Sequence, residues 1–204
     1  YVFRYMAPAG QWLQQQKLLA VNGTSGDRCG LGLAMNGNYI MVGAPWSAGE
    51  SGQVYAYQRD GDAWIASQVL DPEIDAPAQF GFSLAIDDQR LAVGAWKEAE
   101  EGIETGAVHI FLHEASGWMH SDRLIPPSIE PDARFGIDVA LQYPYLLVGS
   151  EGGNGFEPGS GLALLLQSAG ESWVPVYTCT GSGTHDGARF GWQVVLHGNE
   201  ALVS

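Results

Sequence analysis

An internal repeat constrains this sequence more than any other feature, because a period of roughly 20 to 50 residues specifies the architecture of a chain before any local pattern does. Four segments share one pattern, in which an aromatic residue or a cysteine is followed by glycine and an apolar run. These segments begin at Cys29, Phe80, Phe135 and Phe190 and lie 51, 55 and 55 residues apart. The chain is therefore built from about four copies of one unit.

Three further columns keep the same order in each repeat. A glycine-containing segment follows thirteen positions after the first column, as Val42-Gly43-Ala44-Pro45, Val93-Gly94-Ala95-Trp96 and Val148-Gly149-Ser150-Glu151. Apolar runs then begin at Gly52, Gly106 and Gly161. Finally, Trp12, Trp64, Trp118 and Trp173 each precede by six residues a predicted core position, at Leu18, Leu70, Leu124 and Cys179. Four ordered columns predict four strands in every unit.

Short β-branched and apolar runs between turn signals such as Asn36-Gly37-Asn38 predict an antiparallel meander of four strands, a to d. Such a unit buries both faces only against its neighbours, and the radial solution is an all-β propeller with one sheet per blade. We predict a single propeller region over residues 1–204. It comprises strands c and d at 1–18, blades at 29–70, 80–124 and 135–179, and strands a and b at 190–204. The ends either pair to close a four-bladed ring or belong to a longer propeller.

The Phe-Gly segment, the Gly43-Ala44-Pro45 tripeptide, the Gly-x-Val-Tyr-x-Tyr strand from Gly52 and the tryptophan column together resemble the FG-GAP repeat of integrin alpha-subunit propellers and their bacterial relatives. The resemblance covers essentially the whole chain. It implies a seven-bladed propeller, an extracellular or cell-surface location, adhesion or ligand binding, and frequent calcium sites in the loops between strands a and b. The first repeat departs from the pattern by having Cys29 in the Phe column.

The a to b connections lack the ligands for such a calcium site. Calcium takes six to eight oxygens, whereas these turns are short and carry at most two carboxylates each. The turns lie at Asn36–Tyr39, Asp87–Arg90, Gln142–Tyr145 and His197–Glu200. We therefore expect no cofactor, with calcium open only through some other arrangement.

Charge limits the partners of the chain. Nine lysines and arginines against 23 aspartates and glutamates give a formal net charge of -14. An excess of carboxylates repels a phosphate backbone, so nucleic-acid binding is not expected. No apolar run is long enough to enter a membrane, and no signal peptide is visible in this segment. Calcium or a cationic partner suits the charge better, and the expected partner classes are a protein or glycan ligand.

The acidic residues concentrate in the loops that leave one face of the blades, the d to a loops and the b to c loops. Exposed loops on a rigid scaffold commonly carry recognition, although acidic loops are also often simply solvated. The d to a loops contribute Asp27, Asp71, Glu73, Asp75, Glu130, Asp132 and Asp186. The predicted ligand-binding residues are Trp46, Glu50, Trp96, Glu98, Glu100, Glu101, Glu104, Glu151 and Glu157.

No catalytic motif is apparent, so we expect a non-enzymatic binding or adhesion module. Asp138 replaces a small residue on an innermost strand, and a propeller glycoside hydrolase or lyase would need a partner carboxylate beside it. The other alternative is a structural spacer in a large surface protein. The histidines show no metal-binding spacing and are predicted to be incidental. Cys29 and Cys179 are predicted to be buried free thiols, and Asn22-Gly23-Thr24 fits a glycosylation acceptor.

Overall fold

A computed structural model describes residues 1–8, 10–74, 76–170 and 172–204, and nearly all regular structure in them is β-strand. Strands are numbered in chain order. A two-stranded pair comes first, β1 (Val2–Met6) with β2 (Gln11–Gln16). The first four-stranded sheet has β3 (Leu33–Met35), β4 (Tyr39–Ala44), β5 (Gln53–Asp60) and β6 (Ala63–Leu70), with a 3₁₀ turn at Ala48–Glu50.

Two further four-stranded sheets follow. The second has β7 (Ser83–Asp87), β8 (Arg90–Ala95), β11 (Ala107–Glu114) and β12 (Gly117–Leu124), with a short hairpin of β9 (Ala99–Glu100) and β10 (Ile103–Glu104) inserted before β11. The third has β13 (Phe135–Gln142), β14 (Tyr145–Ser150), β15 (Leu162–Ala169) and β16 (Ser172–Cys179). The last pair is β17 (Val194–His197) with β18 (Glu200–Val203).

All pairings inside these sheets are antiparallel, and each four-stranded sheet is a simple meander in chain order. The predicted all-β class and the predicted four-stranded antiparallel sheets are thus confirmed. Strands β3, β7, β13 and β17 occupy position a of the repeat, and β2, β6, β12 and β16 occupy position d.

Hydrophobic side chains join the sheets face to face in chain order. Met41, Val54 and Leu70 of the first sheet form one cluster with Phe80 and Trp118, which belong to the second repeat. Equivalent clusters join the second sheet to the third, the third to β17–β18, and the first to β1–β2. Alternate side chains along each strand point to opposite faces, so every sheet contributes to two such clusters.

The Phe-Gly column forms the junction between successive sheets. The backbone N–H of Phe80 donates to the Ser51 carbonyl of the preceding repeat at 3.0 Å, and Phe80 forms a parallel bridge with Gly52. The same bonds recur from Phe135 to Thr105 and from Phe190 to Ser160, at 2.9 and 3.0 Å. A buried serine or threonine therefore stands directly before the first glycine of each strand c, at Ser51, Thr105 and Ser160. This column was not among those predicted from the sequence.

Two columns of glycine are required by close approach of the main chains. A Cβ at Gly43 would collide with the carbonyl of Gly81, and the equivalent Gly94 and Gly149 face the same collision with the next repeat. A Cβ at Gly52 would collide with the carbonyl of Phe80, and Gly52 also has φ of 91°. Glycine tolerates both the contact and the left-handed backbone. These two contacts explain why the motif contains glycine at these positions.

A β-bulge recurs in every d strand, three residues after the tryptophan. The register between β5 and β6 shifts so that Ser67 has no cross-strand partner, and Ser121 and Val176 occupy the same place in β12 and β16. One extra residue reverses the face of everything beyond it. Trp64 therefore packs toward β1–β2, whereas Leu70, six residues later, packs toward the second sheet.

The tryptophan column is further held by glutamine side chains. Gln68 Nε2 donates to the carbonyl of Trp118 at 2.8 Å, and its Oε1 accepts the Trp118 backbone N–H at 2.9 Å. Gln16 makes the same two bonds to Trp64. Trp64 and Trp118 are buried, but Trp12 is 68% exposed. Each buried tryptophan packs on the sheet before it, and no sheet precedes Trp12 in the described residues.

The predicted burial of Cys29 is wrong. Both cysteines are free, as expected, but Cys29 is exposed and Cys179 is half-buried. Phe80 and Phe135, in the same column as Cys29, are buried against the sheet that precedes them. Among the described residues before Cys29, β1 and β2 are the only strands, and Cys29 lines an open cleft of about 740 Å³ beside them.

Candidate functional site

The b to c loops and the d to a loops form one continuous surface, which we call the loop face. The backbone N–H groups of Ala78 and Gln79 donate to the Glu50 carbonyl at 3.0 and 2.9 Å. In the next repeat the N–H of Asp132 donates to the Glu104 carbonyl at 2.9 Å. Each of these b to c loops is therefore tied to the d to a loop of the following repeat, so the two kinds of loop lie on the same side of the sheets.

Glu98, a predicted ligand-binding residue, lies inside the protein rather than on the loop face. Its side chain is 3% exposed. Oε1 accepts a hydrogen bond from Arg123 Nε at 2.5 Å, and Oε2 accepts one from His109 Nε2 at 2.7 Å. Burial alone would raise the pKa of Glu98, but the hydrogen bonds and charges of His109 and Arg123 outweigh burial and lower that pKa. Glu98 is thus an internal ion-pair partner.

Glu98 also fixes the base of the β9–β10 hairpin. Its carbonyl accepts hydrogen bonds from the backbone N–H groups of Thr105 and Gly106 at 3.2 and 2.9 Å. On the hairpin itself, half-buried Glu100 accepts a hydrogen bond from Arg123 Nη1 at 2.8 Å. One arginine on β12 therefore bridges the two carboxylates, and these bonds order the start of the hairpin.

Glu151 is the second predicted ligand-binding residue that the structure buries, with a side chain 1% exposed. Arg134 Nη1 donates to its Oε1 at 2.6 Å, and Arg189 Nε lies 3.8 Å from Oε2. Among the described residues, Oε2 has no hydrogen-bond partner. Glu50 is half-buried and forms a longer pair, 3.5 Å, with Lys97. Both carboxylates are therefore paired with cations of the protein, although the Glu50 side chain is 43% exposed.

The carboxylates that remain at the surface are fewer than the sequence suggests. Of the predicted ligand-binding residues, Glu101, Glu104 and Glu157 are exposed. Glu101 lies in the turn of the β9–β10 hairpin, Glu104 lies on β10, and Glu157 lies in the b to c loop of the third sheet. These three side chains form no ion pair among the described residues. They are the part of the predicted set available to a partner.

Trp46 and Trp96 belong to a strip of aromatic and guanidinium groups that crosses the loop face. The Arg28 guanidinium lies 4.1 Å from the centre of the Trp46 ring, and Arg134 lies 5.3 Å from that of Trp96. Phe82 lies between the two tryptophans, with ring centroids 6.4 and 5.8 Å away. Both tryptophans are half-buried, so part of each ring faces solvent. Tryptophan and arginine are enriched at protein interfaces.

The arginines of this strip stand on strained backbone. Arg28, Gln79, Arg134 and Arg189 each precede the first residue of the Phe-Gly column and have φ between 53° and 58°. Left-handed backbone is uncommon for residues other than glycine and often occurs at functional sites. The conformation recurs in all four repeats and directs these side chains beside the b to c loops.

The acidic residues of the d to a loops are partly used within their own loops. Asp27 accepts from the backbone N–H and the hydroxyl of Thr24 at 2.6 and 2.7 Å, and these bonds lower its pKa. Asp71 accepts from Gln53, and Glu130 from Ser128 and Asn154. Glu73, Asp132 and Asp186 are exposed, and Asp75 lies outside the described residues.

The opposite face, which carries the a to b turns, is held by side chains that bridge neighbouring repeats. Asn36 Nδ2 donates to the Asp88 carbonyl at 2.7 Å, and Asp87 Oδ2 accepts from the Tyr143 N–H at 2.6 Å. Gln142 bonds both polar groups of Gly198. In the part of the chain that the structure describes, no group of three His, Cys, Asp or Glu residues is placed to hold a metal ion.

Asp138 makes a structural contact between repeats. Its Oδ2 accepts the Val194 backbone N–H at 2.8 Å, and burial raises its pKa above the usual aspartate range. The corresponding Ser83 donates to the Gly136 carbonyl at 2.9 Å. Asp138 and Ser83 thus each bond the main chain of the following repeat at equivalent positions, Asp138 as an acceptor and Ser83 as a donor.

The histidines are more organised than the sequence analysis predicted. His109, 2% exposed, lies between Glu98 and His120, with its Nδ1 3.0 Å from His120 Nε2. His113 lies 3.1 Å from the Tyr39 hydroxyl of the first sheet. No spacing rule signals either arrangement, because each histidine meets groups from other strands.

Together, the repeated sheets and the shared junctions define an all-β repeat protein whose variable loops lie on one face. The FG-GAP repeat family matches residues 12–57 and 68–111. These two segments are therefore FG-GAP repeats, as the motif columns predicted. FG-GAP repeats are general modules of extracellular and surface proteins. No curated protein matches the chain. No helix among the described residues is long and apolar enough to cross a membrane.

Proposed function

We propose that the chain is a non-enzymatic binding module of an extracellular or cell-surface protein, which recognises a protein or glycan partner through the loop face. The observation that carries this proposal is the division of the loop-face carboxylates. Glu98 and Glu151 are buried in ion pairs that order the loops, whereas Glu101, Glu104 and Glu157 are exposed and pair with no cation of the described residues. Ordered loops with free charges suit recognition, because little conformational entropy is lost on binding.

The half-exposed Trp46 and Trp96 support the same surface. Aromatic rings close to charged groups supply apolar contact area and cation–π contacts to a partner. The exposed carboxylates of the b to c loops favour a neutral or basic ligand over an anionic one. The test below includes calcium, because exposed carboxylate oxygens are its preferred ligands.

The binding test compares two charge-reversed variants on a panel of matrix proteins, glycans and calcium. The variant Glu101→Lys with Glu104→Lys alters the loop face. The control Glu114→Lys alters an exposed glutamate at the β11–β12 turn, on the opposite side of the same sheet. Recognition by the loop face requires that a ligand bound by the unaltered protein is lost in the first variant and retained in the control. Equal binding by both would assign recognition elsewhere.

A structural spacer is the second candidate, since several predicted ligand-binding residues serve internal ion pairs. A spacer predicts no ligand in the panel and no effect of the loop-face variant. A glycoside hydrolase or lyase would instead require turnover that Asp138→Asn abolishes. The bond from Val194 to Asp138 argues for a structural role of that carboxylate.

We further propose that the sheets are blades of a propeller. The two-stranded pairs are then half blades, β1–β2 supplying strands c and d and β17–β18 supplying strands a and b. In the repeat, Phe3 is equivalent to Tyr55 and Leu164, and Val203 is equivalent to Val42 and Val148. Val42 pairs with Tyr55 across strands b and c, and Val148 pairs with Leu164 in the same way. Either the two halves pair with each other in a four-bladed ring, or each pairs with strands of further repeats in a larger, seven-bladed propeller.

A disulfide test separates these arrangements. In a closed ring, the double variant Phe3→Cys with Val203→Cys would place two thiols at cross-strand positions, within the distance a disulfide bridges. Mass spectrometry of the oxidised double variant would find an intramolecular disulfide between positions 3 and 203 if the ring is closed. Its absence, with both introduced thiols free in the monomer, would favour the larger propeller.

A further inference from the structure

The buried Glu98–His109–His120 chain is a polar feature that neither the repeat nor the proposed binding surface requires. Glu98 Oε2 lies 2.7 Å from His109 Nε2, and the other ring nitrogen, Nδ1, lies 3.0 Å from His120 Nε2. Glu98 and His120 thus occupy opposite nitrogens of one imidazole and do not converge on a common point. The geometry is that of a proton relay from a buried carboxylate to an exposed histidine, and not that of a metal site.

The bulge at Ser121 creates this chain. His120 and Arg123 are three residues apart, so a regular strand would place them on opposite faces. The register shift between Ile110 and Phe111 instead brings both side chains to the face of β12 that carries His109. Arg123 pairs with Glu98, and His120 packs edge-on against Phe111 with ring centroids 5.2 Å apart.

Charged groups from four elements act on the histidine pair. The loop after β8 supplies Glu98, β9 supplies Glu100 through Arg123, and β12 supplies Asp122 and Arg123. The loop after β6 supplies Glu73, which also favours a proton on His120. On the remaining side His109 meets the Phe80 ring at 5.3 Å, an uncharged neighbour that offsets no charge on the pair.

Hydrogen-bond counting limits the protons that the pair accepts. With both rings neutral, His109 Nε2–H donates to Glu98 and His120 Nε2–H donates to His109 Nδ1. One added proton is tolerated, because His109 then donates from both nitrogens and His120 accepts through Nε2. A second added proton places N–H against N–H across 3.0 Å, with two positive rings and no acceptor between them. The contact must then break.

We propose that this pair is an acid-sensitive latch, in which a second proton taken from solvent releases His120 from His109 and from Phe111. His120 is the ring that moves, because it is exposed whereas His109 is confined between Glu98 and Phe80. Its release opens a path for water to Glu98 at the base of the β9–β10 hairpin. The latch stands on this geometry and requires no particular ligand of the loop face.

The electrostatic surroundings support the order of events. Burial, followed by the charge of His109, lowers the pKa of His120, and the acidic neighbours only partly oppose this. A histidine whose pKa is lower in the folded state opposes folding progressively as the pH falls below its unfolded pKa. The latch therefore stays closed in neutral solution and opens in acid.

Nuclear magnetic resonance of the histidine rings in the intact protein tests the latch. We expect the His120 ring to titrate at a lower pH in the folded protein than in the unfolded protein, in keeping with its lowered pKa. Cross-relaxation between the His120 and Phe111 rings should disappear over the same pH range. A contact that persists after His120 is protonated, or a His120 midpoint at or above its midpoint in the unfolded protein, would overturn the proposal.

The variant His120→Gln provides a second arm, because a glutamine amide is able to donate to His109 Nδ1 but takes no proton. The backbone amides of Thr105 and Gly106 bond the Glu98 carbonyl. In the unaltered protein their hydrogen exchange, measured relative to the intrinsic rate at each pH, should accelerate in acid. The acceleration should be absent in His120→Gln and present in the control His197→Gln. Equal acceleration in both variants would contradict the latch.

Discussion

The b to c loops of the second and third sheets each carry a buried glutamate, and the two differ in how completely that charge is satisfied. Both oxygens of Glu98 are hydrogen-bonded, to Arg123 and to the buried His109. Glu151 bonds Arg134 through one oxygen only, and its second oxygen is buried without a hydrogen bond to any described residue. The partners of Glu151 are also more exposed, with Arg134 at 36% and Arg189 at 65%.

This difference shows that the acidity of a loop in the sequence is not the same as charge at its surface. A carboxylate stays buried only where cations and hydrogen bonds compensate for its lost hydration. Burial of Glu98 and Glu151 removes two negative charges from the loop face. The hydrogen bonds satisfy both oxygens of Glu98 but only one oxygen of Glu151. The loss of stability on removal of each carboxylate should therefore depend on whether its former partners can reach water.

Removal of the Glu98 carboxylate should have the largest effect. Glu98→Ala leaves His109 buried without its acceptor and Arg123 without one of its two carboxylate partners, so we expect stability to fall by about 3–5 kcal/mol. Urea unfolding at neutral pH measures the change. Glu101→Ala on the adjacent hairpin is the matched control, and a Glu98→Ala loss no larger than that of the control would show that the pair is not a structural element.

Removal of the Glu151 carboxylate should have a smaller effect. Glu151→Ala leaves two arginines that reach water, so we expect a loss of about 1–3 kcal/mol. A double-mutant cycle with Arg134→Ala isolates the pair from the rest of the loop. If Glu151→Ala destabilises the protein as much as Glu98→Ala does, partner exposure does not govern the difference between the two loops.

The pH dependence of stability should distinguish Glu98 from an ordinary carboxylate. Because its pKa is lowered in the folded state, Glu98 contributes stability that is complete above the unfolded pKa of about 4.3 and is lost as pH falls through the folded pKa. We expect the unaltered protein to lose more stability than Glu98→Gln between about pH 6 and pH 3. Parallel curves for the two proteins would contradict the lowered pKa.

Neutralisation of the exposed hairpin should have the smallest effect on stability. Glu101→Gln with Glu104→Gln removes two charges that pair with no described residue, so unfolding should change by no more than about 0.5 kcal/mol at each site. A thermal melt of the double variant is sufficient to measure this. A clear loss of stability would place these carboxylates in the same structural class as Glu98.

The repeat columns predicted most of the architecture. The Phe-Gly and Gly-Ala-Pro columns mark main-chain contacts between neighbouring sheets, and such contacts leave a strict signature because only glycine fits there. The buried Ser51, Thr105 and Ser160 recur just as regularly and are recognisable as a column once the junction is known. Gln16 and Gln68, four residues after their tryptophans, carry a similar signal.

The candidate site was less predictable, because its contacts join residues that no local spacing relates. The sequence placed Glu98 and Glu101 in one acidic loop, and nothing nearby distinguishes the buried carboxylate from the exposed one. Arg123, which decides the matter, lies on β12 and reaches Glu98 only after the sheet has formed. The stacking of Arg28 and Arg134 on tryptophans likewise depends on how successive repeats are arranged.

The sequence by itself determined the repeat, the four strands in each unit and the positions of the glycines, because these follow from periodicity and from steric limits on the main chain. Only the tertiary structure decided which way the side chains of the d strands face. Trp64 and Leu70 are an even number of residues apart, which predicts one common face, yet the bulge at Ser67 sends them to opposite neighbours. One unpaired residue reverses the alternation beyond it, and sheet packing alone selects where that residue lies.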